Sequence, residues 1–285
     1  MTRDSEPSGQ LPSPVTPTIR CPCDGRHVKP AFDYATRPPG ETNFAIGGAE
    51  YERHFDCCDS CGHWFGRHAM RLGDLYIGAY VETTYGENLK ATFERIIALP
   101  PDSSDNFGRS QRIEDFASKF LADDQRSLLD IGSGTGVFPY TMNDLGWSCT
   151  ALDPDSRACE HLRERVGVAV IHGDLNSIGR ESIGTFDLVT LNKVIEHVDD
   201  PVDMLTSAGQ LLSRKSLLYL EVPDGSAAAR LGQEREEFYV EHVHAFSVAS
   251  LALSIERAGL SCISLNRVVE PSGKCTLFAF ATNPE

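Results

Sequence analysis

The sequence predicts an α/β domain built on a mostly parallel sheet, and three observations carry that prediction. The first is the stretch Ser127-Leu-Leu-Asp-Ile-Gly-Ser-Gly-Thr-Gly-Val137, a short apolar strand, a glycine turn and a helix start near Val137. The second is the alternation downstream of short apolar runs with helical-period segments, the pattern of strands joined by helical crossovers. The third is Pro271-Ser272-Gly273 between the last two apolar runs, a turn that suits a closing antiparallel hairpin.

Strands are expected near 127–131, 148–152, 168–171, 186–191 and 217–222, and helices near 137–145, 155–165, 201–213 and 247–258. The hairpin strands are expected near 260–267 and 275–281. Gly132, Gly134 and Gly136 allow a sharp turn and close approach of a ligand to the peptide groups. The first strand then ends at the mouth of a parallel sheet, where open α/β folds bind nucleotides. Asp153 closes the second apolar run, Cys149-Thr-Ala-Leu152, and a carboxylate there can accept both hydroxyls of a ribose.

A dinucleotide fold is the first competitor, with the fingerprint G-x-G-x-x-G. Counted from Gly132, its third glycine would fall at position 137, which is Val; the glycine stands at 136 instead. The Asp130-x-Gly132-x-Gly134-x-Gly136 form resembles motif I of the class I methyltransferases that use S-adenosylmethionine. Gly173-Asp174 is similar to that family's loop after strand three, and Phe186-Asp-Leu-Val-Thr-Leu-Asn192 to its strand four. The resemblance implies a Rossmann-like methyltransferase sheet and S-adenosylmethionine as cofactor. Asp130, Gly132, Ser133, Gly134 and Gly136 would surround its methionine and ribose. Asp153 and Pro154 would meet the ribose, Asp174 and Leu175 the adenine, and Asn192 the active-site end.

The chain has 285 residues, 41% hydrophobic and 24% charged, which suits one medium domain with an appendage. Its 26 basic and 41 acidic residues give a formal charge of −15. Such a surface repels polyphosphate, so nucleic acid is excluded as first partner. No apolar run reaches the length of a membrane span, so no membrane partner is expected. Residues 1–18 are rich in Ser and Pro, lack an apolar signal core and read as a disordered leader. A cytoplasmic location is the corresponding expectation.

Nine cysteines are present, five of them in the first quarter. Without an export signal, metal ligation is favoured over disulfides. Residues 19–66 are read as a zinc-binding module. Cys58-Asp-Ser-Cys61-Gly62 has thiolates at knuckle spacing, with a glycine freeing the turn. Cys21-Pro-Cys23 is one residue short of that spacing, and Cys57 or His27 could substitute for one ligand. Structural zinc held by Cys21, Cys23, Cys58 and Cys61 would fix an otherwise coreless, irregular segment. The module resembles the four-cysteine module that precedes the class I domain in sugar methyltransferases.

Residues 67–126 are read as a helical cap before the catalytic domain, 127–285, with helical character from about Trp64. Tyr76, Tyr80 and Tyr85 recur at near-helical spacing, Leu89–Ile97 keeps an apolar face, and Pro100-Pro101 breaks it. Asn106, Arg109 and Arg112 are placed to meet a cofactor carboxylate or substrate phosphate, or to form a solvated helix face.

Methyl transfer from a sulfonium is an in-line displacement, so the protein aligns the nucleophile and removes its proton. A histidine is the natural base. His242 and His197 rank ahead of His244, with Glu241 beside them. His242 and His244 would point the same way if their segment were extended. Asn192 and Lys193 offer contacts to an acceptor oxygen or phosphate. Glu196-His197 with a later histidine also resembles the magnesium site of small-RNA 2′-O-methyltransferases, but Lys193 stands where a further ligand is needed. The resemblances imply a small-molecule acceptor, first a nucleotide-linked sugar or glycan precursor methylated on oxygen or carbon. The alternative acceptor is a quinone or other secondary metabolite, because the strand-four segment resembles ubiquinone O-methyltransferases. The competing class is a non-catalytic cofactor-binding or zinc interaction module.

Overall fold

The computed structural model describes residues 21–25, 27–43, 51–68 and 89–284. The leader and Tyr76, Tyr80 and Tyr85 of the expected cap lie outside the described residues. Two sheets organise the chain. The larger has seven strands: β4 (Ser127–Ile131), β5 (Ser148–Asp153), β6 (Ala169–His172), β7 (Phe186–Asn192), β8 (Leu212–Pro223), β10 (Ser261–Val269) and β11 (Cys275–Thr282). Their order is β10-β11-β8-β7-β4-β5-β6. Strands β4 to β8 run parallel, and β11 and β10 add antiparallel to β8. This is the Rossmann-like methyltransferase fold, with the order of connection reversing between β4 and β7. The cleft at that reversal lies beyond the carboxyl ends of the strands.

Helices cover both faces. On one, α5 (Pro201–Gly209) and α6 (Val248–Arg257) pack against the sheet through Met204, Leu205, Leu251 and Ile255. On the other, α1 (Leu89–Ile97), α2 (Asp105–Phe120) and α3 (Val137–Asp144) contribute Phe93, Ile113, Phe138 and Met142. Each such side chain stabilises the fold by roughly 1.5–3 kcal/mol. The central strands are apolar on both faces because both are covered: Leu128, Leu129, Leu188 and Val189 are fully buried. Among the described residues no helix is long and apolar enough to cross a membrane.

Three local readings differ from expectation. The helix expected to run to residue 213 stops at Gly209, and β8 begins at Leu212. Leu212 pairs with Phe186, and the register shifts before Leu217 pairs with Leu188. Lys215, at φ 56, sits in that irregularity. The helix expected over 155–165 becomes α4 (Ser156–His161) and then a wider π turn over Leu162–Val166, ended by Gly167 at φ 77. Residues Trp64–His68, read as the start of helix, are instead a strand.

The N-terminal residues form the second sheet, with β1 (Val28–Tyr34), β2 (Arg53–Cys58) and β3 (Trp64–His68) antiparallel. Its fourth strand, β9 (His244–Ala245), comes from the part of the chain after β8. The segment is therefore neither irregular nor coreless. Tyr34, Phe55 and Trp64 pack with Phe238 and Ala245 in one apolar cluster.

Candidate active site

The glycine turn begins as β4 ends, where Gly132 N–H donates to Leu152 O at 2.8 Å. Gly132, Gly134 and Gly136 all have positive φ, at 71°, 50° and 74°, which L side chains rarely adopt. Asp153 ends β5 opposite the turn and accepts from Gly134 N–H at 2.8 Å and Asp155 N–H at 2.9 Å. Burial raises its pKa, and these two donors work against that rise. Asp155 in turn caps α4 by accepting from Arg157 and Ala158 N–H groups.

One cleft is lined by Asp130, Gly132, Ser133, Gly134, Asp153, Pro154, Asp174, Leu175 and Asn192. Gly136 is not on that lining; it opens α3, and a Cβ there would lie 2.6 Å from Leu162 and Val166. Ser133 uses its hydroxyl within the turn, donating to Asp130 O at 2.8 Å. Asp130 accepts from Thr190 Oγ1 at 2.7 Å and Asn192 Nδ2 at 2.9 Å. Burial pushes its pKa up to about 6, against those donors. Asp174 accepts from Asn176 N–H at 2.7 Å, which closes the turn after β6.

At the far end of the cleft, past β7, stand Glu196, His197, Glu241 and His242. His197 Nδ1 bonds Glu241 O at 2.9 Å, and His242 Nδ1 bonds Glu237 O at 3.1 Å. A carbonyl only accepts, so both rings carry their proton on Nδ1 and the lone pair on Nε2. The rings lie tilted at 56° to each other, with centroids 4.9 Å apart. Glu196 is fully buried, and neither carboxylate oxygen has a hydrogen-bond partner among the described residues. Its nearer oxygen lies 3.9 Å from His197 Nε2. Ligand atoms of Glu196, His197 and His242 all fall within 4.8 Å of one another. Three acceptor groups therefore converge.

Burial sets their protonation. It lowers His197, and it lowers His242 further with the help of the neighbouring His197. Both rings are neutral at pH 7. Burial lifts Glu196 to about 7, against the opposing charge of Lys193. Lys193 is itself lowered by burial, although Glu221 and Glu196 favour its charged form. It sits at φ 61 directly after β7, a backbone conformation unusual for a side chain of its size. Its Nζ donates to Thr276 Oγ1 at 2.8 Å.

His244 does not join the cluster. The segment before it turns instead of running extended, so the expected alternation is lost. His244 is buried against His63, Nδ1 to Nε2 at 2.9 Å, and burial brings its pKa down to about 4. Arg109 and Arg112 are neither a solvated face nor open anion receptors. Arg109 bonds Glu221 through Nε at 2.8 Å and Nη2 at 2.6 Å. Arg112 bridges Glu221 at 2.7 Å and Glu270 at 2.9 Å. Burial alone would raise Glu221, but the arginines and Lys193 hold it at about 2. Glu221→Ala would leave Arg109 without its carboxylate and Arg112 with Glu270 alone. The expected cost is about 3–5 kcal/mol, read as a lower urea midpoint.

The four cysteine sulfurs gather where β2 ends at Cys58. Cys21 Sγ lies 3.4 Å from Cys23 Sγ and 3.5 Å from Cys61 Sγ, and Cys23 Sγ lies 3.5 Å from Cys58 Sγ. All four lie within 4.8 Å of one another. A tetrahedral zinc with Zn–S of about 2.3 Å has sulfur–sulfur edges of about 3.8 Å. The missing residue between Cys21 and Cys23 is accommodated by a turn with Asp24 at φ 51. Cys57 points elsewhere, its thiol to Cys58 O at 3.9 Å, and His27 is outside the group.

Sequence reasoning grouped Glu196 with His197 and a later histidine only as a disfavoured magnesium site and left it out of the proton-transfer candidates, because the dipeptide does not show that the carboxylate turns inward. It also missed Arg53 and Glu41, a pair 2.8 Å apart whose side chains are at most 1% exposed. No local pattern marks them.

A family model described as a methyltransferase domain matches residues 107–265, more than half of the chain. The mitochondrial ubiquinone biosynthesis O-methyltransferase of Schizosaccharomyces pombe is 34% identical over 112 residues, 37% of this chain and 41% of that protein. The Caulobacter vibrioides ubiquinone biosynthesis O-methyltransferase is 30% identical over 117 residues, 38% and 46% of the two chains. The chain thus spans less than half the length of these relatives. Magnesium protoporphyrin IX methyltransferase from Synechocystis PCC 6803, with bound SAH, superposes with a TM-score of 0.52 at 13% identity. That match covers 72% of this chain and 100% of the other. The CcbJ methyltransferase of Streptomyces caelestis gives 0.52 at 16% identity, covering 72% and 99%. These two likenesses concern the fold alone. With the glycine turn, the sheet order and the family match together, the chain belongs to the methyltransferase-domain family.

Proposed function

We propose that this chain methylates a hydroxyl of a small-molecule acceptor. The observation that carries this reading is the convergence of His197, His242 and Glu196 at the acceptor end of the cleft. The residues fit S-adenosylmethionine. A carboxylate offers about four acceptor positions; Asp153 uses two on backbone N–H groups, which leaves capacity for a ribose diol. A Cβ on Gly134 would meet no protein atom within 4 Å, so this side of the turn is open to a ligand. Asp174 and Leu175 would border the adenine, and Asn192, whose Oδ1 is buried without a partner among the described residues, would face the amino-acid end.

When bound, that cofactor supplies the methyl group and the leaving thioether. His242 or His197 accepts the acceptor hydroxyl's proton at Nε2. Glu196, as carboxylate, holds the imidazolium so formed, and Lys193 favours that charged form against the burial that opposes it. Glu241 fixes His197 through its carbonyl.

A phenolic or quinone-type hydroxyl is the first acceptor class, supported by the names of the curated relatives. A nucleotide-linked sugar is the second, favoured by the four-sulfur cluster and its resemblance to the sugar enzymes. Product mass after incubation with catechols, hydroxyquinones and sugar nucleotides decides between them. Binding of SAH by calorimetry without methylation of any acceptor would instead favour a cofactor-binding module.

The cysteine cluster reads as structural zinc. Fresh protein is expected to carry one zinc per chain, and Cys61→Ser to lose it, by plasma mass spectrometry. Metal-free fresh protein sinks this assignment.

A further inference from the structure

His242 stands on a stretch with little regular structure of its own. Residues Glu236–Phe238 form one 3₁₀ turn, and β9 begins only at His244. Within the stretch, Tyr239 N–H bonds Glu236 O at 3.1 Å and His242 N–H bonds Tyr239 O at 3.0 Å. Much of the rest of its support comes from β2, β3 and the segment that joins β1 to β2. Arg53 Nη1 donates to Phe238 O, and Glu41 Oε2 accepts from Val240 N–H at 2.8 Å. Tyr239 OH donates to Pro39 O at 2.8 Å. Gly66 N–H donates to Val243 O at 2.9 Å.

Arg53 and Glu41 are bonded to each other at 2.8 Å, with the guanidinium 3.7 Å above the Tyr34 ring. Tyr51 OH bonds both. A buried ion pair adds little net stability compared with apolar residues of the same shape. Its effect here is directional: each partner grips a backbone group two residues from the other's. Gly66 adds a close approach, since a Cβ there would lie 2.7 Å from His242 O. Neither Arg53 nor Glu41 lines the cleft.

We propose that Arg53 and Glu41 are positioning residues for methyl transfer, holding the path of Phe238–Val243 so that His242 Nε2 faces His197 and the acceptor. The N-terminal sheet is then a working wall of the acceptor site, beyond any role in holding metal. This rests on the reading of His242 as part of the acceptor-side base. A misplacement of about 1 Å can cost about 100-fold in rate.

The test uses the full chain, with SAH as probe and ¹⁵N-labelled imidazoles of His197 and His242 as reporters, so no acceptor is needed. Arg53→Lys keeps the charge but loses the fork. Glu41→Gln keeps an acceptor for Val240 N–H but loses the ion pair. Gly66→Ala pushes on the His242 carbonyl from a third direction. In each, the His242 ring signals and titration midpoint are expected to move toward those of an exposed histidine. SAH affinity should stay within about twofold, because the cofactor turn is untouched. With any acceptor that turns over, kcat falls about 10- to 100-fold. If folded Arg53→Lys and Glu41→Gln leave the His242 signals in place, or lower only the melting temperature, the proposal is overturned. If one variant fails to fold, the other two decide. Full turnover by His242→Ala would remove the base reading while leaving the imidazole result to judge the positioning claim on its own.

Discussion

His242→Ala is expected to lower kcat by about 10²- to 10⁴-fold, the range for loss of a positioned proton acceptor. The ring sits with Nδ1 on Glu237 O, so its Nε2 lone pair is fixed in direction before any acceptor arrives. SAH binding should hold within about twofold, because Asp153 and the glycine turn do not touch His242. His197→Ala should show a similar loss, and the double variant little more than either alone, since the two rings act as one unit. Steady-state kinetics with the best acceptor of the panel check this. A His242→Ala enzyme with wild-type kcat ends the assignment of the cluster as the proton acceptor.

Glu196→Gln is expected to change the shape of the pH profile as well as its height. In the native protein Glu196 titrates at about 7 because it is buried, with Lys193 limiting the rise. Below that pH it is neutral and cannot hold an imidazolium, so kcat/KM should rise with pH through about 7. In Glu196→Gln this limb should disappear, and the remaining acid limb should move to lower pH, set by the burial-lowered histidines. Stability runs the other way. The folded pKa lies above the unfolded value, so the carboxyl's favourable contribution is complete below the unfolded value and is lost as pH rises through about 7. Glu196→Gln should remove this part of the dependence. Urea midpoints across pH 4 to 8 check the second half. An unchanged acid limb in Glu196→Gln refutes the role given to this carboxylate.

The fold was legible because its signals are local. The run Ser127–Val137 shows a strand, a turn and a helix start within a dozen residues, and Pro271-Ser272-Gly273 marks the hairpin. The grouping of the cleft residues from Asp130 to Asn192 was also readable, since parallel strands deliver their ends to one place. Gly136 shares the glycine spacing yet packs against Leu162 and Val166, because periodicity does not say which way a turn faces. Arg109 and Arg112 looked available because Glu221, their partner, is more than a hundred positions away. His244 looked equivalent to His242 until a turn separated them. The N-terminal sheet was least legible, because its short strands carry irregular apolar spacing and its fourth member comes from the other end of the chain.

That borrowed fourth strand has a consequence for biosynthesis. His63 and His244 meet across 181 positions of sequence, and Trp64 pairs with Ala245. Strands β1 to β3 must therefore wait, with the β3 edge unpaired, until residue 245 has been made and the large sheet can present it. Ordering so distant a pair carries a loop-closure penalty that local contacts avoid, which favours late docking of the amino-terminal strands. Sequestered zinc would give the waiting segment a partial fold of its own. A fragment ending before residue 244 lacks the edge that completes it and is the part most exposed to mispairing.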